Sequence, residues 1–321
     1  MTVLNEQGPR VTDGLTAPTT SRGPVLIDYA MLLVLGLVWG SAFLFTEIAV
    51  RTVPPATTVA MRLVIAAGLL ALIAQLLGAR WPRGWRTWAV IFASGLMGNA
   101  LPFTMISWGQ QEVPSGLAAI LMGVMPLATL VLAHFFTADE KLNAAKTAGV
   151  LLGLGGLVVL IGPGKLMTLG SDVVSELVIA AAAVSYGINT LITKSLMGHE
   201  KVGLGASVML ASALVMVPVA LAWDGIAELA PSFESLASVV VLGIFQTALA
   251  ALLMFVIIKR SGATFFSQIN YIVPPAGLVY GILLLGEEAQ LKALAALALI
   301  IIGIAVSRLG MGQAHRTAPP R

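Results

Sequence analysis

The stretch SGLAAILMGVMPLATLVLAHFFTADEKL at residues 115–142 decides the fold, because a second version of it, ATFFSQINYIVPPAGLVYGILLLGEEAQL, occupies residues 263–291. In both copies an apolar run of helix length carries a proline near its middle, Pro126 or Pro274, and ends in an acidic pair. The prolines and the acidic pairs recur at an interval of 148 residues. The same interval links Met61 with Met209, Gly95 with Gly243 and Gly155 with Gly303. The chain therefore contains an internal duplication that covers almost all of its hydrophobic part.

The composition of the 321 residues excludes a water-soluble globular protein. Hydrophobic residues make up 58% of the chain and charged residues only 10%, with a mean hydropathy of +0.95, and these values are typical of an integral membrane protein. The chain has no cysteine, which excludes disulfides and thiolate metal sites. We expect no metal and no other cofactor. A basic patch with interleaved aromatic residues is missing, so the expected partners are membrane lipid and a small-molecule substrate, not nucleic acid.

Ten apolar runs follow one another, each close to the roughly 20 residues that a helix needs to cross about 30 Å of hydrocarbon. Their limits are about 27–50, 55–78, 88–110, 113–136, 143–163, 175–197, 203–223, 236–258, 263–285 and 290–309. We predict an all-α membrane protein whose ten transmembrane helices form two five-helix repeats, residues 27–163 and 175–309. Residues 1–26 are rich in Thr, Gly and Pro and are predicted to be a disordered cytoplasmic tail, and residues 310–321 a second cytoplasmic tail. Small residues four apart predict close helix contacts at Gly36 and Gly40 and at Gly149 and Gly153.

The basic residues predict the orientation, because lysine and arginine are retained on the cytoplasmic side of a membrane. With the N-terminus inside, fourteen basic residues lie on the cytoplasmic side and three outside, and Arg62 lies within a span. The cytoplasmic set is Arg10, Arg22, Arg80, Arg83, Arg86, Lys141, Lys146, Lys194, Lys201, Lys259, Arg260, Arg308, Arg316 and Arg321, and the outer set is Arg51, Lys165 and Lys292. We therefore expect a multi-pass protein of the plasma (inner) membrane with both termini in the cytoplasm.

The number of helices in each repeat links this topology to function. Because five is an odd number, the two repeats must cross the membrane in opposite orientations. Inverted repeats are used by alternating-access transporters, in which the two halves exchange conformations and open the binding site first to one side and then to the other. A duplication that merely builds a stable bundle is the alternative. The sequence favours a secondary transporter.

The chain also resembles the EamA-type, ten-helix members of the drug/metabolite transporter superfamily, over about 280 residues. The resemblance rests on Trp39-Gly40, Met61-Arg62-Leu63, Pro126 and Pro274, Glu140 followed by Gly149 and Gly153, and Glu287-Glu288 followed by Gly303. It implies a carrier that exports amino acids or similar small metabolites and is not an enzyme. The second half departs from the pattern at Leu210, where the first half has Arg62, so a charge role there is not duplicated.

Polar side chains at membrane depth are retained only when they have a partner or face water, and they are therefore the candidate substrate contacts. The set comprises Asn99, Thr104, Asn189, Gln246, Gln268, Asn270 and Tyr271, with Trp39 and Tyr186 as nearly equivalent aromatic residues. Pro126 is expected to free the carbonyl of Met122 from helical bonding, and Pro274 to act in the same way in its own span. Hydrogen bonds between helices account equally well for each Asn and Gln. For the prolines, a packing kink is favoured over direct contact with the substrate.

Four titratable residues are candidates for a role of their charge. Arg62 could attract a substrate carboxylate, extend its side chain to the interface, or pair with Glu47, and the pair is favoured. His134 and Glu140 lie near the inner boundary, where a solvated helix end is favoured over a protonation role.

Other function classes are less well supported. Gly162-Pro163-Gly164-Lys165 resembles a phosphate loop, but Val159 stands in place of its first glycine and Leu166 in place of its Ser or Thr. An intramembrane enzyme needs a catalytic pair at bilayer depth, and none is evident. A passive channel needs polar residues along a continuous water path, whereas the polar residues here gather near mid-depth. Export of other small organic solutes or drugs remains the alternative within the transporter class.

Overall fold

The computed structural model describes residues 24–137, 141–162, 164, 170–196, 198–225 and 230–314. These residues form helices joined by short turns, with no β-strand among them. The α-helices are α1 (Leu26–Val50), α2 (Pro55–Leu76), α3 (Trp85–Gly95), α4 (Leu101–Gly109), α5 (Ser115–Met122), α6 (Met125–Phe136), α7 (Ala144–Ile161), α8 (Ser171–Thr193), α9 (Lys201–Trp223), α10 (Phe233–Val241), α11 (Ala250–Phe266), α12 (Val273–Leu285) and α13 (Leu291–Ala314). The all-helical fold predicted from the sequence is confirmed.

Several of these helices join into longer segments. π-helical turns at Leu96–Ala100 and Leu242–Leu249 connect α3 to α4 and α10 to α11, and a 3₁₀ segment at Ser267–Tyr271 leads into α12. Within the described part of the chain, nine segments are long and apolar enough to cross a membrane. The longest, Phe233–Leu285, has 53 residues, and its backbone leaves the helical region at Gly262 (φ 84°, ψ 165°). Dividing this segment at Gly262 gives ten spans, and keeping it whole gives nine.

The duplication seen in the sequence is present in the backbone as well. α6 begins at Met125 and α12 at Val273, again 148 residues apart, and in each helix a proline is the second residue. The π-helical turn Leu96–Ala100 corresponds to residues 244–248, which lie inside the second π-helical segment. The two halves therefore share their irregular turns as well as their regular helices.

Helix packing follows the same duplication. α7 packs along α13 and α2 along α9, so each of these pairs joins a helix of the first half to its equivalent in the second half. α5 packs along α12, which is the equivalent of α6. α1 packs against α10, α11 and α12, and its equivalent α8 packs against α3, α4 and α6. The first helix of each repeat therefore packs on the other half, against equivalent sets of helices.

Glycines allow the closest of these contacts, as the sequence predicted. A Cβ on Gly149 would meet the backbone of Gly303 and Ser307, and a Cβ on Gly153 would meet Leu127. On α1, Gly36 lies against Ile272, and Gly40 lies against the first turns of α12. Because van der Waals packing is a main source of helix association in membranes, these positions set how closely the two halves approach.

Parts of the predicted tails and one acidic pair lie outside the described residues. They are residues 1–23 of the first tail, residues 315–321 of the second, and Asp139-Glu140 at the end of the first repeated stretch. Helix α13 continues to Ala314, five residues beyond the limit expected from the sequence, and no proline precedes Pro319 to stop it.

We expect Gly149→Ala to destabilise the protein, because the added methyl group would contact the backbone of α13. The expected loss is about 1–3 kcal/mol, as for other overpacked sites, and it should lower the melting temperature of the protein in detergent. Gly155→Ala in the same helix is the matched control, since nothing lies within 4 Å of its added Cβ, and it should leave the melting temperature unchanged or raise it slightly. Equal melting temperatures for both variants would contradict the close α7–α13 contact.

Candidate functional site

Arg62 is the most deeply placed basic residue of the site. It lies seven residues after the start of α2, about 10 Å along the helix axis, and only 7% of its surface is exposed. Its Nε donates to Thr247 Oγ1 at 2.8 Å, and its guanidinium lies over the ring of Phe103, 3.8 Å from the centroid. Thr247 Oγ1 in turn donates to the carbonyl of Leu242 at 2.8 Å. The guanidinium is thus held at the contact between α2, α4 and the second π-helical segment.

The predicted pair of Arg62 with Glu47 is wrong. Glu47 accepts from the backbone N–H of Ser115 at 2.8 Å and from Arg51 at 3.4 Å. Glu47 is three residues from the end of α1, so an arginine one turn away and the start of α5 both lie within its reach. Arg62 lies deeper in the membrane than Glu47. The carboxylate of Glu47 is therefore bonded by these nearer partners and not by Arg62.

Trp39 and Gln246 contact each other across the two halves. The indole N–H of Trp39 donates to the backbone carbonyl of Gln246 at 3.2 Å, and Gln246 Nε2 donates to Ser41 Oγ at 3.0 Å. Gln246 is 4% exposed, and its Oε1 accepts no hydrogen bond from the described residues. Trp39 also packs edge-to-face on Phe266, with the ring centroids 5.9 Å apart.

Two of the three candidate asparagines form hydrogen bonds between helices. Asn99 Nδ2 donates to Ser212 Oγ on α9 at 3.2 Å, and Asn189 Oδ1 accepts from Ser94 Oγ at 2.8 Å. Thr104 instead donates to Ala100 within its own segment, at 2.7 Å. Asn99 and Thr247 occupy equivalent positions, 148 residues apart, and each bonds a helix of the other half. That interval was the signal by which Thr247, absent from the predicted set, could have been found.

Tyr186 and Met122 lie beside the same core. Tyr186 is half-buried on α8 and packs against the hydrophobic cluster that includes Met122.

Three other candidates lie in the connection between α11 and α12. Asn270 Nδ2 donates to the carbonyl of Ser267 at 2.9 Å, and the same carbonyl accepts from Arg308 at 2.7 Å. Arg308 also lies over the Tyr271 ring, 4.6 Å from its centroid. Gln268 is half-buried and no hydrogen bond to it is found among the described residues. Sequence reasoning counted Arg308 only as a cytoplasmic charge, and so missed its contact with this connection.

The prolines mark breaks between helices rather than bends within one helix. α5 ends at Met122, and α6 begins at Met125 with Pro126 in its first turn. Pro274 lies in the first turn of α12. A proline at that position lacks an N–H that would have no helical partner in any case. Each proline therefore lies at the start of a second helix and does not form the packing kink that the sequence suggested.

His134 stabilises the end of α6. Its Nδ1 accepts from the backbone N–H of Leu142 at 3.2 Å, which requires an unprotonated Nδ1, and its carbonyl accepts from Lys141 at 2.8 Å. These contacts agree with the helix-end interpretation of His134. Glu140, the other candidate there, lies outside the described residues.

The start of α5 receives two carboxylates, one from each half of the chain. Ser115 Oγ donates to Glu287 Oε1 at 2.6 Å, and the N–H of Gly116 donates to Glu287 Oε2 at 3.0 Å. Glu47 accepts the N–H of Ser115, as described above. A helix start favours negative charge because its first N–H groups lack helical partners. An open cavity of about 390 Å³ adjoins this cluster and is lined by Glu47, Val50, Arg51, Gln110, Gln111, Glu112, Val113 and Pro114.

Glu287→Gln should weaken the contact between residue 287 and the start of α5, because it removes the negative charge that the helix start favours. We expect a loss of about 1–2 kcal/mol, measured as a lower melting temperature in detergent. Glu288→Gln is the matched control, since the neighbouring side chain is exposed and its change should be close to zero. A melting temperature of the Glu287 variant that equals that of the control would mean that this carboxylate does not hold the two halves together.

Comparison with known proteins identifies the family of this chain. The model of the EamA-like transporter family matches residues 26–162 and again residues 174–309. An uncharacterized transporter of Archaeoglobus fulgidus is 27% identical over 267 residues, which cover 83% of this chain and 93% of the relative. A probable terminal-alkyne amino-acid exporter of Streptantibioticus cattleyicolor is 28% identical, over 88% of this chain and 94% of the relative.

Two further matches agree with this assignment. The uncharacterized inner membrane transporter YedA of Escherichia coli is 25% identical, over 88% of this chain and 90% of its own length. A solved crystal structure shares the fold with a TM-score of 0.64 and 22% identity, over 88% of this chain and 97% of that one. The family and the named relatives are membrane transporters, not enzymes. This chain belongs to the EamA-like transporter family.

Proposed function

We propose that the protein is a secondary transporter that exports amino acids or related small metabolites across the cytoplasmic membrane by alternating access. In this proposal, ten transmembrane helices form two inverted five-helix repeats, residues 27–163 and 175–309, and both termini are cytoplasmic. Family membership already gives membrane transport of a small molecule. The inversion, the substrate class and the alternation are what the proposal adds.

The proposed inversion is supported by the end of the bundle at which the first helix of each repeat starts. Asp28, in the first turn of α1, accepts from Arg260 Nε at 2.7 Å. Nineteen residues later, about 28 Å along the helix, Glu47 lines the open cavity at the other end of the bundle. Ser175, one turn into the equivalent helix α8, donates to Glu112 Oε2 at 3.0 Å, and Glu112 lines that same cavity. The equivalent helices α1 and α8 therefore start at opposite ends of the bundle, which supports inverted repeats.

Polar contacts between the two halves at both ends of the bundle support alternation. At the end that contains Glu47, Glu287 holds the start of α5, and Asp224 accepts from the N–H and hydroxyl of Thr57 at 2.7 and 2.9 Å. At the end that contains Asp28, the ion pair with Arg260 joins α1 to α11. We propose that these contacts break and form in turn, while the helix breaks before Pro126 and Pro274 absorb the change in direction.

The substrate class rests on the relative named a probable amino-acid exporter and on the chemistry of the candidate residues. Trp39 and Tyr186 offer aromatic surfaces near the interface between the halves, and Asn99, Asn189 and Gln246 offer amide groups at similar depth. Such a combination of apolar surface and a few polar groups suits a small amphipathic molecule. We propose that the substrate binds among these residues, and that export of another small organic solute is the alternative.

Counterflow into proteoliposomes tests the function. Vesicles loaded with unlabelled L-leucine and diluted into labelled L-leucine should accumulate label transiently, because a carrier returns faster when its site is occupied on the far side. Trp39→Phe removes the hydrogen bond to Gln246 and should weaken transport by about tenfold, the equivalent of about 1.4 kcal/mol. Trp223→Phe is the matched control at an exposed tryptophan.

Each outcome separates one part of the proposal. Flux that does not saturate and gains nothing from internal substrate would contradict alternating access and indicate a channel. If a mixed set of solutes is tested and none of the amino acids shows counterflow while another solute does, the proposed substrate class is contradicted. The carrier mechanism would then still stand.

A further inference from the structure

Arg62 is a buried cation whose surroundings in the described residues contain no counter-ion. The other described arginines that make interactions between helices have oxygen acceptors for their terminal nitrogens or a carboxylate partner, as Arg260 has Asp28 and Arg308 has Ser267. Arg62 uses only Nε, which bonds the hydroxyl of Thr247. Its Nη1 and Nη2 carry four N–H donors, and no hydrogen bond from them to the described residues is found. Thr247 is a neutral partner and cannot balance the charge.

The position of this guanidinium makes the missing counter-ion costly. A charge within a membrane span is retained when it pairs with another charge, faces water or serves a substrate pathway. The effective penalty for burying an ion in a protein is several kcal/mol unless a partner compensates it. Stacking on Phe103 offsets part of that penalty. Nothing described around Arg62 supplies a negative charge.

The two contacts that Arg62 does make also fix its orientation. The ring of Phe103 sets the plane of the guanidinium, and the bond from Nε to Thr247 sets its rotation within that plane. The end formed by Nη1 and Nη2 is left unbonded. A guanidinium presents two parallel N–H donors at that end, a spacing that matches the two oxygens of a carboxylate.

We propose that Arg62 binds the carboxylate of the exported substrate, with Phe103 and Thr247 as positioning residues. The inference rests on the proposed function and names the group by which that substrate is recognised. Gln246, the residue before Thr247, supplies the complementary feature, because its buried Oε1 has no donor among the described residues. A cation bonded to Thr247 and a free neutral acceptor on the preceding residue suit a molecule that carries both a carboxylate and an ammonium group.

The test compares three probes of similar shape: L-leucine, L-leucinamide, which replaces the carboxylate with a neutral amide, and 4-methylpentanoate, which keeps the carboxylate and lacks the amine. Binding of each to the purified protein is measured by calorimetry, independently of transport. We expect the wild-type protein to bind leucine about 10-fold to 100-fold more tightly than leucinamide, the range for losing a charge-assisted pair. We also expect 4-methylpentanoate to compete with leucine.

Variants assign the preference to one residue. Arg62→Gln should remove the preference by weakening leucine while leaving leucinamide binding close to its original value, and Arg62→Lys should keep part of the preference because the charge remains. Arg83→Gln, at an exposed arginine outside the site, should keep the full preference. The melting temperature of each variant reports whether it is folded.

Three results would overturn the inference: equal binding of leucine and leucinamide by the wild-type protein, no competition by 4-methylpentanoate, or an undiminished preference in Arg62→Gln. The first two need no variant, so the inference is testable even where Arg62→Gln does not fold. Failure of the proposed function is recognised separately. Carboxylate binding through Arg62 without counterflow of leucine would contradict transport and support the anion site. Counterflow of leucinamide as fast as that of leucine would support transport and contradict the anion site.

Discussion

Polar groups within a bilayer must find their partners inside the protein, because the hydrocarbon offers none. In this chain several of these partners lie across the boundary between the two halves. Arg62 in the first half bonds Thr247 in the second, and Asn99 in the first bonds Ser212 in the second. The tryptophan of α1 bonds the backbone of the second π-helical segment in the same way. The polar residues that are most costly to bury therefore hold the halves in register, and a movement of one half against the other must exchange these bonds for others.

The two π-helical segments explain how the bonds can form. A π-helical turn widens the helix and displaces backbone groups from their usual partners, and such turns occur frequently at functional sites. Here the carbonyl of Leu242 accepts the hydroxyl of Thr247, and the carbonyl of Gln246 accepts the indole of Trp39. The first π-helical segment contains Asn99 at the equivalent position. Both halves therefore carry this irregularity at the same place, in two different chemical settings.

The sequence predicted the class of fold and named several residues that make hydrogen bonds between the two halves, and the reasons are physical. The hydropathy of a segment and the interval between two repeats can both be determined without knowing how the helices pack. The helices and the duplication could therefore be predicted from the sequence. The pairs of residues that contact each other could not be predicted, because these contacts depend on the rotation and depth of each helix. The proposed pairing of Arg62 with Glu47 failed for that reason, since both residues were near the same boundary in sequence but not in depth. The bond between Ser115 and Glu287 joins residues 172 positions apart, and no local pattern could have predicted it.

Alternating access is the central claim, and paired distances at the two ends of the bundle test it most directly. In this cysteine-free chain, spin labels at positions 111 and 289 report on the end that contains Glu47. Labels at the equivalent positions 259 and 141 report on the end that contains Asp28. In lipid, with and without L-leucine, the account predicts that one distance lengthens in the state in which the other shortens. Distances that lengthen together, or that stay fixed while transport proceeds, would contradict it.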